Sequence, residues 1–166
     1  MVLLVPMSFG EKVRQLEQSR QAFAGEVAVA DSIEVDEANR KVDELIERLL
    51  PQGFETGGHY FLWIVANEDQ QRVGWTWVGP ELGDPSAYYI WDIEINEAAR
   101  GFGHARSALD QIEILARERG ATKLGLHVFE DNASARRLYE SQGFVEISVE
   151  PGHVDMSKEL DKPAGV

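Results

Sequence analysis

The chain of 166 residues fits a single domain, and with 43% apolar residues it can bury a sizeable core. It contains no cysteine, which excludes disulfides, thiolate metal sites and a cysteine nucleophile. A formal net charge of −13 repels phosphate backbones, so nucleic acid is not expected as a partner, while cations are steered toward the surface.

Met1 to Met7 is apolar but too short for the apolar region of a secretion signal, and no basic residue precedes it. No stretch approaches the roughly 18 apolar residues of a membrane span. The expectation is a soluble, cytoplasmic protein with no membrane association. Val2 to Val5 reads as a short strand. Phe9 to Ala30 carries Val13, Leu16, Phe23 and Val27 at helical spacing. After Asp31 and Ser32, a second helix from about Val35 to Leu50 has Val42, Leu45, Ile46 and Leu49 on one stripe and ends at Pro51 and Gly53.

The period then changes. Tyr60–Ala66 and Val73–Val78, joined by the polar turn Glu68–Gln71, predict a hairpin. Gly79–Pro85 reads as a turn-rich loop, and Tyr88–Ile95 as the next strand. Ala105, Ala108, Leu109, Ile112 and Leu115 form the apolar stripe of a third helix, which Gly120 caps. Lys123–Phe129 is a strand. Asn132 can cap a short helix holding Ala135, Leu138 and Tyr139, which Gly143 stops. Phe144–Val149 and Val154–Ser157 close the chain as a strand pair. The order β-α-α-β-β-β-α-β-α-β-β implies a layered α/β domain.

The segment from Ile93 to Arg106 carries the clearest chemical signal. A strand ends there, and a turn containing Gly101 and Gly103 opens a helix. First-turn N–H groups lack intrahelical partners, and the helix dipole adds positive potential, so the turn suits an anion. The glycines let a phosphate approach the backbone, and Arg100 and Arg106 add charge. A nucleoside triphosphate loop would need Gly-Lys-Ser/Thr, which is missing. A dinucleotide loop would need a third glycine where Arg106 stands.

Arg100-Gly-Phe-Gly-His-Ala105 resembles the Arg/Gln-x-x-Gly-x-Gly/Ala signature of the GNAT (Gcn5-related N-acetyltransferase) superfamily. Asn132 to Phe144 resembles its second signature, Asn-x-x-Ala-x-x-Leu-Tyr-x-x-x-Gly-Phe. The two occur in the expected order, separated by a strand, and the likeness is clear from about Val73 to Leu160. It implies one domain over residues 1–160, with a short tail at 161–166. It also implies a mixed, mostly antiparallel central sheet with flanking helices, in which the strands Tyr88–Ile95 and Lys123–Phe129 splay apart.

The same resemblance implies acetyl-CoA as acyl donor. Ile93, Glu94 and Ile95 would pair with its pantetheine arm. Arg100, Gly101, Phe102, Gly103, His104, Ala105 and Arg106 would hold the pyrophosphate. Asn132 would bond the pantetheine arm, and Ala135 would lie near the nucleotide end. At Tyr139 the superfamily often places a hydroxyl facing the CoA sulfur, where it can protonate the leaving thiolate. The expected reaction is direct acetyl transfer to a primary amine of a small molecule, peptide or protein. The resemblance also allows a homodimer.

Attack requires the amine to lose a proton. Glu94 is the expected base and Asp92 the second candidate; in a regular strand both project from one face, which a bulge would alter. Either carboxylate could instead bind a cationic acceptor. His127 alternates with apolar residues and reads as structural. His59, His104 and His153 show no ligand spacing, so no metal is expected. Trp63, Trp75, Trp77 and Trp91 lie in strands, with Trp75 and Trp77 as candidates to line an acceptor pocket. The acceptor-selecting residues are expected in the two N-terminal helices and the Gly79–Ser86 loop. An acyl-CoA sensor and a transferase of another acyl group remain alternatives.

Overall fold

The computed structural model describes residues 1–161; the tail expected at 161–166 therefore lies, beyond Asp161, outside the described residues. The elements follow the expected order: β1 (Val2–Pro6), α1 (Phe9–Asp31), α2 (Val35–Leu49), β2 (Tyr60–Ala66), β3 (Arg72–Glu81), β4 (Asp84–Ile95), α3 (His104–Glu118), β5 (Lys123–Phe129), α4 (Ala133–Ser141), β6 (Val145–Glu150) and β7 (His153–Glu159). All seven strands form one sheet in the order β1-β2-β3-β4-β5-β7-β6. Every pairing is antiparallel except β4 with β5.

Helices cover both faces. On one, Leu109, Ile112 and Ala116 of α3 and Tyr139 of α4 pack on Val78, Ile90, Leu124, Leu126 and Met156. On the other, Leu49 of α2 meets Phe61, Trp75 and Trp77, while α1 and α2 pack on each other through Ala24, Val27, Ala38 and Val42. The ends of α1 are encoded locally. The Ser8 side chain accepts from the Glu11 N–H, and Ser32 closes the helix in the left-handed region at φ 53°. No helix among the described residues is long and apolar enough to cross a membrane.

Two departures from the sequence reading matter for the site. Gly79–Pro85 is not an open loop: β3 and β4 run through it and turn tightly between Glu81 and Asp84, with Gly83 at φ 80°. This hairpin tip does not line the large cleft described below; Glu81 and Leu82 instead line a small cavity with Tyr89, Trp91 and Asp155. The second departure is a bulge in β4. Trp77 pairs with Asp92 and Val78 with Ile90, which leaves Trp91 unpaired. Tyr88 and Ile90 pack toward α3 before the bulge, and Ile93 and Ile95 after it. The extra residue therefore turns Asp92 and Glu94 to the α1 face.

Candidate functional site

β4 and β5 pair from Ala87 with Lys123 to Ile90 with Leu126, and beyond that row they separate. A cleft of about 1330 Å³ opens in the gap and joins the two faces of the sheet. Residues Ile93, Glu94 and Ile95, expected to meet the pantetheine arm, line it. Their edge toward β5 is unpaired, while the other edge is taken up by β3. The Ile95 carbonyl accepts a 3.0 Å hydrogen bond from Arg100 Nε, so this carbonyl is already engaged and the loop is tied back to the strand end.

The anion loop has the form its residues dictate. Gly101 and Gly103 sit at φ 84° and 80°, where any side chain is strained, and nothing lies within 4 Å of the Cβ that either lacks. Gly103 is the N-cap of α3, and no side chain caps it, so the first-turn N–H groups stay free for a ligand. Arg100, Gly101, Gly103, His104, Ala105 and Arg106 all line the cleft. Arg106 also donates to Ser141 Oγ at 3.2 Å, linking α3 to the end of α4. Phe102 departs from the expectation: its side chain is 74% exposed and outside the cleft, so only its backbone belongs to the loop. Open space above two positive-φ glycines at an uncapped 15-residue helix suits a pyrophosphate.

From α4, Asn132, Ala135 and Tyr139 reach the same cleft. Asn132 Oδ1 accepts from the Ala135 N–H at 3.2 Å, which makes it the helix cap and leaves its amide Nδ2 and a second lone pair on Oδ1 for a ligand. Tyr139 is 8% exposed and its ring packs edge-on against Phe144. Its hydroxyl makes no hydrogen bond among the described residues, so it is not the satisfied core phenol that its apolar helix face would otherwise suggest. Burial, followed by the nearby negative charge of Asp92, pushes its pKa up to about 12, which keeps it a neutral donor.

The α1 side of the cleft is acidic and aromatic. Asp92 is half-buried and accepts a hydrogen bond from the Ser19 hydroxyl of α1. Burial raises its pKa against the opposing effect of Ser19, and Glu94 raises it further. Glu94 is exposed at the cleft wall. Of the two carboxylates, Asp92 is the one whose charge raises the Tyr139 pKa. Glu26 of α1 faces both; its pKa is raised by burial and then by Asp92, Asp131 and Glu94. Trp75 and Trp77 are buried residues that line the cleft. The indole N–H groups of Trp75 and Trp91 are buried without a hydrogen-bond partner among the described residues.

Sequence reasoning missed Glu26 and Ser19, although a signal existed: Leu16, Ser19, Phe23 and Glu26 form one helical stripe in which two positions are polar. It also missed a chain joining His127, His153 and Asp31, whose members lie far apart in sequence. Among the described residues no group of three or more His, Asp or Glu is placed to hold a metal ion.

Comparison with known proteins agrees with this geometry. Residues 22–144 match the acetyltransferase (GNAT) family. The uncharacterized N-acetyltransferase YycN of Bacillus subtilis (strain 168) is 35% identical over 149 residues, covering 89% of this chain and 95% of YycN. A second protein of that organism, the uncharacterized N-acetyltransferase YdgE, is 35% identical over 127 residues, covering 76% of this chain and 80% of YdgE. The crystal structure of YycN superimposes with a TM-score of 0.79 at 34% identity, covering 90% of this chain and 96% of that one. Spermidine N-acetyltransferase from Vibrio cholerae, solved with CoA and spermine, shares the fold at a TM-score of 0.67 and 18% identity, over 97% of this chain and 96% of that one. The glycine turn at the start of α3, the open strand pair and these likenesses agree: the chain belongs to the GNAT acetyltransferase family.

Proposed function

We propose that the protein transfers the acetyl group of acetyl-CoA to the primary amine of a cationic acceptor, by direct attack with both substrates bound. The observation that carries this reading is that one cleft, which Tyr139 also lines, joins the glycine loop on the α3 face to a carboxylate-lined pocket on the α1 face. Acetyl-CoA supplies the acetyl group as a thioester. Gly101 to Arg106 hold its pyrophosphate, and the unpaired edge of Ile93–Ile95 aligns the rest along β4. The absence of cysteine removes a thioester-linked enzyme intermediate and favours direct transfer.

On the acceptor side Asp92, Glu94 and Glu26 hold an ammonium group, beside the aromatic wall of Trp75, Trp77 and Trp91. The amine nitrogen must lose two protons: one ends on the CoA sulfur and one goes to solvent. Tyr139 faces the leaving sulfur. Complete transfer from a phenol held at about 12 to a thiolate of ordinary thiol pKa near 8.5 runs uphill by about 5 kcal/mol. Its role is therefore to donate a hydrogen bond to the charge developing on sulfur, and the proton that remains there comes from the amine nitrogen. The relative that binds spermine is a precedent of shared fold only, although its polycation fits the acidity seen here.

A panel of polyamines, amino acids, amino sugars and peptides, incubated with acetyl-CoA while free thiol is followed, tests the reading. Turnover with cationic amines supports it. Stabilisation by acetyl-CoA without turnover on any amine would favour an acyl-CoA sensor, and turnover only with longer acyl donors a different acyltransferase.

A further inference from the structure

His127 is the first residue of β5 beyond the last row paired with β4, so it stands at the apex of the split. Its ring lies on the acceptor face. Gly125, two residues earlier, shares that face, and a Cβ there would strike the ring of Tyr89 at 2.9 Å. Phe23 of α1 and Phe129 meet the His127 ring edge-on, with centroids 6.1 and 4.8 Å away. The Nε2 atom lies 2.8 Å from His153 Nδ1 on β7. In turn, His153 Nε2 is hydrogen-bonded to Asp31 Oδ1 at the C-terminal end of α1. Gly152 makes this approach possible: at φ 86° its absent Cβ would lie 3.0 Å from the Ala30 carbonyl oxygen, so the β6–β7 turn sits directly on the helix end.

One tautomer assignment satisfies every contact of the chain with His153 neutral. An ionised Asp31 accepts from His153 Nε2–H. A neutral His153 then presents Nδ1 as acceptor, and His127 donates its Nε2–H to it. That leaves His127 Nδ1 as a lone pair, with no hydrogen-bond partner among the described residues, in a side chain that lines the cleft. Burial, then His153, holds the His127 pKa below its ordinary value, while Asp155 and Asp31 oppose this. Asp155 is the cross-strand partner of His127 and accepts from the Tyr89 hydroxyl at 3.2 Å. Lys41 Nζ stands 3.8 Å from Asp31 Oδ2 at the solvent end.

We propose that His127, His153 and Asp31 form a proton relay that takes the proton from the acceptor's ammonium group at the apex of the split. The inference rests on the acetyl-transfer reading above and deepens it. His127 Nδ1 accepts a proton from the amine nitrogen, and the N–H bond electrons stay on nitrogen as its lone pair. His127 passes its Nε2 proton to His153 Nδ1, and the positive charge rests on His153 beside the Asp31 carboxylate. After the product leaves, the protons retrace the path and the excess one passes to water in the cleft. His127 is the catalytic residue, and His153 and Asp31 are positioning residues. The carboxylates Asp92 and Glu94 then serve to hold the cation, which their ionised form favours.

The test combines kinetics with a readout independent of turnover. His127→Gln should lower kcat/KM at neutral pH by on the order of 10²-fold. The loss should shrink at high pH, where free amine is supplied by solvent, and thermal stabilisation by acetyl-CoA should be retained. Asp31→Asn removes a carboxylate that favours protonated His127, so the acid limb of the pH–rate profile should move to lower pH with a smaller loss of rate. In nitrogen-15 NMR of the wild type near neutral pH, His127 should carry its proton on Nε2. An unchanged pH–rate profile in His127→Gln overturns the relay while leaving the transferase reading intact. A His127 proton found on Nδ1 overturns it as well. If the wild type acetylates no amine, the transferase reading fails instead, and the tautomer measurement still decides whether the chain exists as drawn.

Discussion

Tyr139→Phe isolates one hydroxyl at the centre of the cleft. The residue is 8% exposed, and its hydroxyl has no hydrogen-bond partner among the described residues. Deleting it breaks no bond within the fold, so stability at neutral pH should change by no more than about 1 kcal/mol, far less than loss of a satisfied buried group. At high pH the sign reverses in favour of the variant. The folded-state pKa is raised from its ordinary 10 to about 12, so the neutral phenol's contribution to folding is complete below pH 10 and disappears as pH rises to about 12. That amounts to about 3 kcal/mol, which the Phe variant does not lose. Catalysis should respond differently. Removing a donor aimed at developing charge lowers the chemical rate by on the order of 10²-fold, about 2.7 kcal/mol of barrier. The assay is single-turnover thiol release with saturating acetyl-CoA and an accepted amine, which avoids masking by slow product release. Acetyl-CoA affinity should be nearly unchanged. A variant with wild-type single-turnover rate would refute the role given to Tyr139.

The other predictions concern the two halves of the cleft. Gly103→Glu places a strained side chain and a negative charge at the uncapped start of α3, so it should abolish the rise in melting temperature given by acetyl-CoA; a normal shift in the folded variant would put the phosphates elsewhere. Asp92→Asn removes a charge whose pKa is raised in the fold, so at neutral pH, above the unfolded pKa, it should leave the melting temperature equal or higher while raising KM for cationic amines; thermal melts and steady-state kinetics check both signs. Glu94→Gln should likewise raise KM with kcat nearly kept, whereas a fall in kcat reversed at high pH would make Glu94 the base. The capture rate of a polycationic amine should fall as salt rises, since the screening length drops to about 8 Å at physiological ionic strength, and that of a neutral amine should not.

Much of the fold was legible because it is encoded locally. The stripes of α1 to α4, the positive-φ glycines at 101, 103, 120 and 143, and the Asn132 cap each announce themselves within a few residues. The glycine turn at the start of α3 was legible for the same reason, since it is a contiguous motif. The α1 side of the cleft was not, because long-range pairing sets it. The bulge at Trp91 is a property of how β3 meets β4, and a reading of Tyr88–Ile95 alone cannot tell which residue slips. Alternation still placed Asp92 and Glu94 together, since both follow the bulge. Gly79–Pro85 misled because Gly and Pro at the tip of a long hairpin look like an irregular loop. Histidine 153 reaches Asp31 across 122 residues of sequence, through a glycine turn whose packing on α1 has no local signature.

The central claim is that a single cleft brings the thioester and the amine together without the protein ever carrying the acyl group. Acetyl-CoA labelled in its acetyl carbons, mixed with protein alone and then with a cationic amine, tests it by mass spectrometry of both protein and amine. The account predicts that the label appears on the amine nitrogen only when both substrates are present, and that the protein remains unlabelled before the amine is added. Label that first accumulates on the protein and then passes to the amine would contradict it, as would tight acetyl-CoA binding with no labelled amine from any acceptor.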